Sequence, residues 1–95
     1  MNTISYRRIR EFVAIYPDAE SPLSAWYNVA KKANWKNIVE LRAAYPHADL
    51  VGRFIVFNIA GNKYRLISEI HFESNLLLIR RILTHGEYDK DKWKS

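Results

Sequence analysis

Apolar side chains recur at helical spacing in the first half of the chain and at alternate positions in the second. Tyr6, Ile9, Phe12, Val13 and Tyr16 fall three or four residues apart, with Arg7, Arg8, Arg10 and Glu11 between them. This spacing predicts an amphipathic helix that Pro17 ends. Its arginines read as a solvated face, with Arg7 and Glu11 one turn apart and able to pair. Met1 to Ser5 reads as a short edge strand or a lead-in. Ser21-Pro22 predicts an N-cap followed by proline at the first helical position. Leu23, Trp26, Tyr27 and Ala30 then form a second stripe that ends near Lys31-Lys32-Ala33. Asn37 with Glu40 has the form of a capping box for a third helix. That helix turns Ile38, Leu41 and Tyr45 inward and stops at Pro46.

Beyond Gly52 the period changes to two. Arg53–Ala60, Asn62–Phe72 and Leu76–Thr84 read as three strands joined by short links, which with the preceding helices predicts an α+β fold. The helices are expected to cover one face of a small antiparallel sheet. Gly61-Asn62 suits a two-residue hairpin turn, placing Asn58 opposite Arg65 and Ala60 opposite Lys63. Alternation then puts Ile55, Phe57, Ile59, Tyr64, Leu66, Ile70 and Phe72 on the helix side. Asn58, Lys63, Arg65, Ile67, Glu69 and His71 share the other, solvated face. A two-residue turn at Ser74-Asn75 would set Glu69 opposite Arg80 and Arg65 opposite Thr84, with Arg81 on the core side opposite Ser68. A three-residue loop would exchange Arg80 and Arg81, because a one-residue slip reverses every side chain. The reading with Arg80 outward is preferred.

Composition narrows the class. Residues 1–95 read as one domain, without repeats or linkers. With no cysteine, disulfides, thiolate catalysis and Cys-based zinc sites are excluded; a reducing cytoplasmic setting fits. Three arginines and a glutamate in Ile4–Val13 argue against a signal peptide, and no apolar run is long enough to span a membrane. Fifteen basic against ten acidic side chains give a net charge of +5, which favours polyanionic partners. The excess is spread over both halves, so an anion site must be assembled by folding.

Lys63, Arg65 and Arg80 converge on one sheet face, with Glu69 partly offsetting them. The last strand then runs into Thr84-His85-Gly86-Glu87, a second capping-box pattern and the start of a short C-terminal helix. Tyr88 follows His85 by one turn, on the same side. An imidazole, a phenol and the Lys90 ammonium would thus lie at the edge of a cationic face. Cleavage of RNA through its own 2′-hydroxyl needs a base, an acid for the leaving oxygen and cations for the phosphorane. These residue types supply all three, and His85 titrates nearest neutrality. His47 reads as ordinary surface and His71, between Glu69 and Glu73, as solvent-facing. The histidines show no metal-ligand spacing, and no Walker loop, dinucleotide fingerprint or nucleophile elbow occurs; no metal or cofactor is implied. Two other readings use the same basic face: a non-catalytic RNA- or ribosome-binding module, and a subunit that docks an acidic protein.

Arg10-Glu11-Phe12, Pro17-Asp18-Ala19-Glu20, Leu23 and Ala25-Trp26-Tyr27 carry a resemblance that becomes specific in the second half. There it runs through Val56-Phe57-Asn58-Ile59, Gly61-Asn62-Lys63-Tyr64-Arg65-Leu66-Ile67, Ile79-Arg80, Thr84-His85 and Tyr88-Asp89-Lys90. In these blocks the chain resembles the HigB-type toxins of type II toxin–antitoxin pairs, within the RelE-like mRNA interferase superfamily. The resemblance implies helices packed on one face of an antiparallel sheet and metal-independent mRNA cleavage on the translating ribosome. It also implies inhibition by a HigA-type helix-turn-helix antitoxin. By position it points to His85, Tyr88, Lys90, Arg65, Arg80 and Lys63 as catalytic, and to Asn58 and Asn62 as RNA-binding alongside Lys63, Arg65 and Arg80. Family members commonly carry an aromatic residue where this chain has Arg81.

Overall fold

The computed structural model describes residues 1–90 and Trp93. Strand β1 (Asn2–Ile4) leads into helix α1 (Tyr6–Ile15), a 3₁₀ turn (Pro17–Ala19), α2 (Glu20–Lys32) and α3 (Ile38–Ala44). Strands β2 (Asp49–Val51), β3 (Phe54–Ile59), β4 (Tyr64–His71) and β5 (Leu76–Thr84) follow, and α4 (His85–Asp89) comes after them. The architecture is the expected α+β one. The five strands lie in the order β1-β5-β4-β3-β2. Neighbours from β2 to β5 run antiparallel, but β1 pairs with β5 in parallel. The sheet is therefore mixed, with two short edge strands, and β2 was not expected at all.

The apolar stripes meet where the periodicity places them. Ile9, Phe12, Leu23, Trp26, Ala30 and Leu41 from the helices are buried against Ile55, Phe57, Ile59, Tyr64, Leu66, Leu77 and Ile79 of the sheet. Two helix starts differ from expectation. Helix α2 begins at Glu20 with Ala19 in the N-cap position and no side-chain cap, so Ser21 is no cap. Pro22 still sits in the first turn, where its missing N–H has no intrahelical partner to lose. At α3, Asn37 Oδ1 accepts from the Glu40 amide at 3.0 Å. Glu40, however, accepts from the Lys36 amide at 2.8 Å, so the reciprocal arm reaches one residue further back. The Met1 ammonium lies at the end of α2, where it donates to the carbonyls of Ala30, Lys31 and Ala33.

The sheet face away from the helices is not simply wet. Val56 and Ile67 are buried there beneath Trp93, with Val51, Phe54, Leu83 and Tyr88 packed around them. The chain beyond α4 thus brings an indole over part of the face expected to be solvated. Both hairpin connections span four residues rather than two. Ala60 to Lys63 form a four-residue loop with Ala60 and Gly61 at positive φ, yet Asn58 pairs with Arg65 as expected. Phe72 to Asn75 form a second loop, which sets His71 opposite Leu76 and Ser68 opposite Ile79. Past that point a bulge shifts the register: Ile67 faces Arg81, Arg65 faces Leu83 and Tyr64 faces Thr84.

Between them, the loop from Phe72 to Asn75 and the bulge correct three expectations. Arg65 does not lie opposite Thr84, Glu69 lies opposite Leu78 rather than Arg80, and Arg81 does not oppose Ser68. A bulge seats two residues against one on the partner strand, so the inside–outside alternation skips a step there. Ile79 and Ile82 both face the helices, while Arg80 and Arg81 are both exposed and line one groove on the opposite face. Neither arginine occupies the core.

Candidate active site

Antiparallel pairing of β4 with β5 brings the start of one beside the end of the other. Tyr64 lies opposite Thr84, and the His85 amide donates to the Lys63 carbonyl at 3.0 Å. Helix α4 starts at that junction because its capping box closes on both arms. Thr84 Oγ1 accepts from the Glu87 amide at 3.2 Å, and Glu87 accepts from the Thr84 amide at 2.9 Å. The result fixes His85 against Arg65, twenty residues away in sequence.

Arg65 is only 8% exposed. One of its terminal nitrogens donates to the carbonyls of Asn62 (3.1 Å) and Tyr64 (3.2 Å). The other donates to Asn62 Oδ1 at 2.6 Å and meets His85 Nδ1 at 3.1 Å. All four partners are uncharged when His85 is neutral, so the guanidinium is held in place with its positive charge unspent. Because an arginine can only donate, His85 Nδ1 must accept, and the imidazole proton lies on Nε2. That nitrogen is 3.1 Å from Asp89 Oδ2, which accepts from it. Arg65 and Asp89 therefore set the tautomer and orientation of His85 from opposite sides, the arrangement that suits a proton-transfer histidine. Tyr88 forms a further layer: the Arg65 guanidinium lies 5.5 Å from its ring centroid. Trp93 stacks on the same ring at 5.1 Å and 16°, and its Nε1 donates to the Tyr88 carbonyl at 3.0 Å.

Of the residues singled out in the sequence, Asn62, Arg65, His85 and Tyr88 are brought together. Lys63 is not on the expected face. It belongs to the loop rather than the strand, and its ammonium pairs with Asp18 in the 3₁₀ turn on the helix side. The Tyr64 hydroxyl donates to the same carboxylate at 2.7 Å. The hydrogen bond from Lys63, then that from Tyr64, hold the Asp18 carboxyl below its ordinary value; Asp18 in turn raises both Lys63 and Tyr64. Arg80 lies further along the open face, 3.6 Å from Glu69. Lys90, just past α4, lines the surface between Arg81 and Trp93. Asn58 lines a cleft of about 490 Å³ with Asn62, Tyr45 and His47. His71 is exposed and meets Glu69 at 3.0 Å.

Sequence reasoning missed Asp89, Asp18 and Trp93, and it treated His47 as plain surface although it borders the cleft beside Asn62. Asp89 was within reach, since it stands four residues after His85 on the same helix. No group of three or more His, Cys, Asp or Glu side chains able to hold a metal ion occurs among the described residues. No helix there is long and apolar enough to cross a membrane.

Comparison with known proteins identifies the family. A curated relative, the mRNA interferase toxin HigB of Escherichia coli K12, is 32% identical over 92 residues, covering 94% of this chain and 88% of its own length. The mRNA interferase HigB of Shigella flexneri matches to the same extent. That of Escherichia coli O6:H1 is 30% identical, over 95% of this chain and 90% of its own. The family model of the HigB toxin, described as the RelE-like toxic component of a toxin–antitoxin system, matches residues 19–91. The span holding Arg65, His85 and Tyr88 lies inside that match, and the chain belongs to the HigB toxin family.

Proposed function

We propose that this chain is an mRNA interferase: a metal-independent endoribonuclease that cuts mRNA on the translating ribosome and so arrests growth. The observation that carries the reading is His85 held between Arg65 and Asp89, at the edge of a cationic face. The step it serves is attack of a 2′-hydroxyl on the adjacent phosphate. Arg65 swings its outer nitrogen from His85 to the phosphate, which frees the Nδ1 lone pair to take the 2′-hydroxyl proton. Asp89 then faces the imidazolium that forms and stabilises it. The bond from phosphorus to the leaving 5′-oxygen breaks as a proton reaches that oxygen, from Tyr88 or from the histidinium. The products are a 2′,3′-cyclic phosphate and a 5′-hydroxyl. Arg65 answers the charge that grows on the phosphoryl oxygens, a contribution of about 3–4 kcal/mol for a well-aimed donor. Asn62 holds Arg65 in place. Lys90, exposed just past α4, supplies a cation at the rim, with Asn58 as a further contact to RNA, while Lys63, paired with Asp18, ties the hairpin loop to the helix layer. Arg80 holds RNA along the same face.

The partner is a HigA-type helix-turn-helix antitoxin, and the working compartment is the cytoplasm. The experiment is to map cut ends on an mRNA in a translation extract. Wild type should leave cyclic-phosphate and 5′-hydroxyl ends, whereas His85→Ala should bind ribosomes and leave the message intact. Ends bearing a 5′-phosphate, or cleavage of a pre-bound message that stops when free divalent metal is chelated with ribosomes intact, would refute the chemistry. Growth arrest by His85→Ala equal to wild type would favour a non-catalytic ribosome-binding module instead.

A further inference from the structure

Beside the candidate active site, on the same face, lies a groove of about 220 Å³ whose walls carry four arginines. They come from three places: Arg8 from α1, Arg53 from the turn between β2 and β3, and Arg80 and Arg81 from the β5 bulge. Phe54 and Trp93 form its apolar part. One carboxylate answers these charges among the described residues. Glu69 Oε1 lies 3.8 Å from Arg53 Nε and 3.6 Å from Arg80 Nε. The Arg53 guanidinium is also held over the Phe54 ring, 4.8 Å from its centroid. Arg8 and Arg81 form no ion pair with a described residue. Solvated arginines on a sheet face are ordinary, but their usual arrangement is scattered. Here a register irregularity turns two consecutive cations to one side, and a helix from the other layer adds a third at the strand edge.

The groove is continuous with the site already described. Trp93 forms part of it and stacks on Tyr88, whose ring centroid lies 5.5 Å from the Arg65 guanidinium. Between the two, Arg81 and Lys90 line a further depression with Glu87. Cations therefore continue from Arg65 past α4 to Arg53. A ligand matched to this row has repeated negative charges on a flexible backbone, as single-stranded RNA has.

We propose that the four-arginine groove holds the phosphates of the substrate RNA strand flanking the cleavage point. The assignment rests on the ribonuclease reading for its direction, but binding can be measured without cleavage. The test uses the full chain and non-cleavable 2′-O-methyl oligoribonucleotides, one of about 4 and one of about 12 nucleotides. Affinity is followed against salt for wild type and for the Arg8→Gln/Arg81→Gln pair, neither of which belongs to the catalytic cluster. Loss of two phosphate contacts should lower the slope of log K against log salt by about 1.4. That is about 25-fold weaker binding of the longer strand at 0.1 M salt, converging with wild type toward 1 M. The short strand, seated at Arg65 and His85, should bind both proteins alike. Equal slopes for the longer strand would overturn the proposal, as would a failure of wild type to bind it at low salt. A pair that weakens only antitoxin or ribosome binding would also overturn it, assigning the groove to that surface. If wild type leaves mRNA uncut but the slopes differ as stated, the groove stands and the catalytic reading falls.

Discussion

Replacing Arg65 with lysine keeps the charge and changes only its shape, so it tests whether the fork geometry matters. The guanidinium spreads four hydrogen bonds over two nitrogens, two to carbonyls and two to Asn62 Oδ1 and His85 Nδ1. A lysine ammonium is a single point on a flexible stem. It can serve the partners of one nitrogen but not of both, so two of the four bonds are lost. Each bond to a charged donor contributes about 1.5–3 kcal/mol when its acceptor is left dry. His85 is about half exposed, so water recovers part of that loss. The expected cost is about 2–3 kcal/mol, or roughly 10–20 °C in melting temperature for a domain of this size. If the ammonium keeps the carbonyls, His85 loses the donor that fixes its tautomer and the phosphate loses its aimed cation. Cleavage should then fall about 100-fold or more even well below the variant's melting point. The assay pairs thermal unfolding with single-turnover mRNA cleavage in a translation extract. A variant that melts within 2–3 °C of wild type and cuts at the same rate would refute the account of Arg65.

Thr84→Ala removes one arm of the capping box that seats His85 and should cost about 1 kcal/mol by denaturant titration, with a loss of cleavage larger than that of stability. Asp18→Asn tests the clasp between the 3₁₀ turn and the hairpin. Because Lys63 holds the folded Asp18 carboxyl below its ordinary value of 3.8, the clasp stabilises the fold above that pH. Its contribution is lost as pH falls through the lowered folded value. Melting temperature followed from pH 6 downward should therefore drop less steeply in Asp18→Asn than in wild type. Arg81→Ala should change stability by no more than about 0.5 kcal/mol, since the side chain is exposed; a gain above about 1 kcal/mol would place Arg81 in the core instead.

What could be read in advance follows from the range of each interaction. Alternation and turn residues are local, so the pairing of Asn58 with Arg65 was legible, as was the capping box at Thr84 that sets His85 beside the sheet. Asp18 was not, because its contact with Lys63 spans 45 residues and depends on where a 3₁₀ turn docks. The bulge at Arg80 and Arg81 was equally hidden. Both side chains are arginine, so no hydrophobic pattern marks which of them breaks the alternation. Trp93, a single aromatic flanked by lysines, gave no periodic signal that it would roof Val56 and Ile67. The terminal cluster itself suggested proton transfer and the family resemblance supplied mRNA and the ribosome, but neither gave Asp89 as the second support of His85.

The irregularity in β5 also bears on how this surface can vary. Leu77 and Ile79 before it and Ile82 after it all point inward, as they would in a regular strand shorter by one residue. Excising Arg80 would restore an unbroken alternation without moving any core side chain. The position is thus a natural place for an insertion or deletion: chain length and surface charge can change there while the interior and the junction at His85 keep their composition. Relatives differing by one residue at this point would share a core and a proton-transfer histidine, yet differ in how many cations they offer outward.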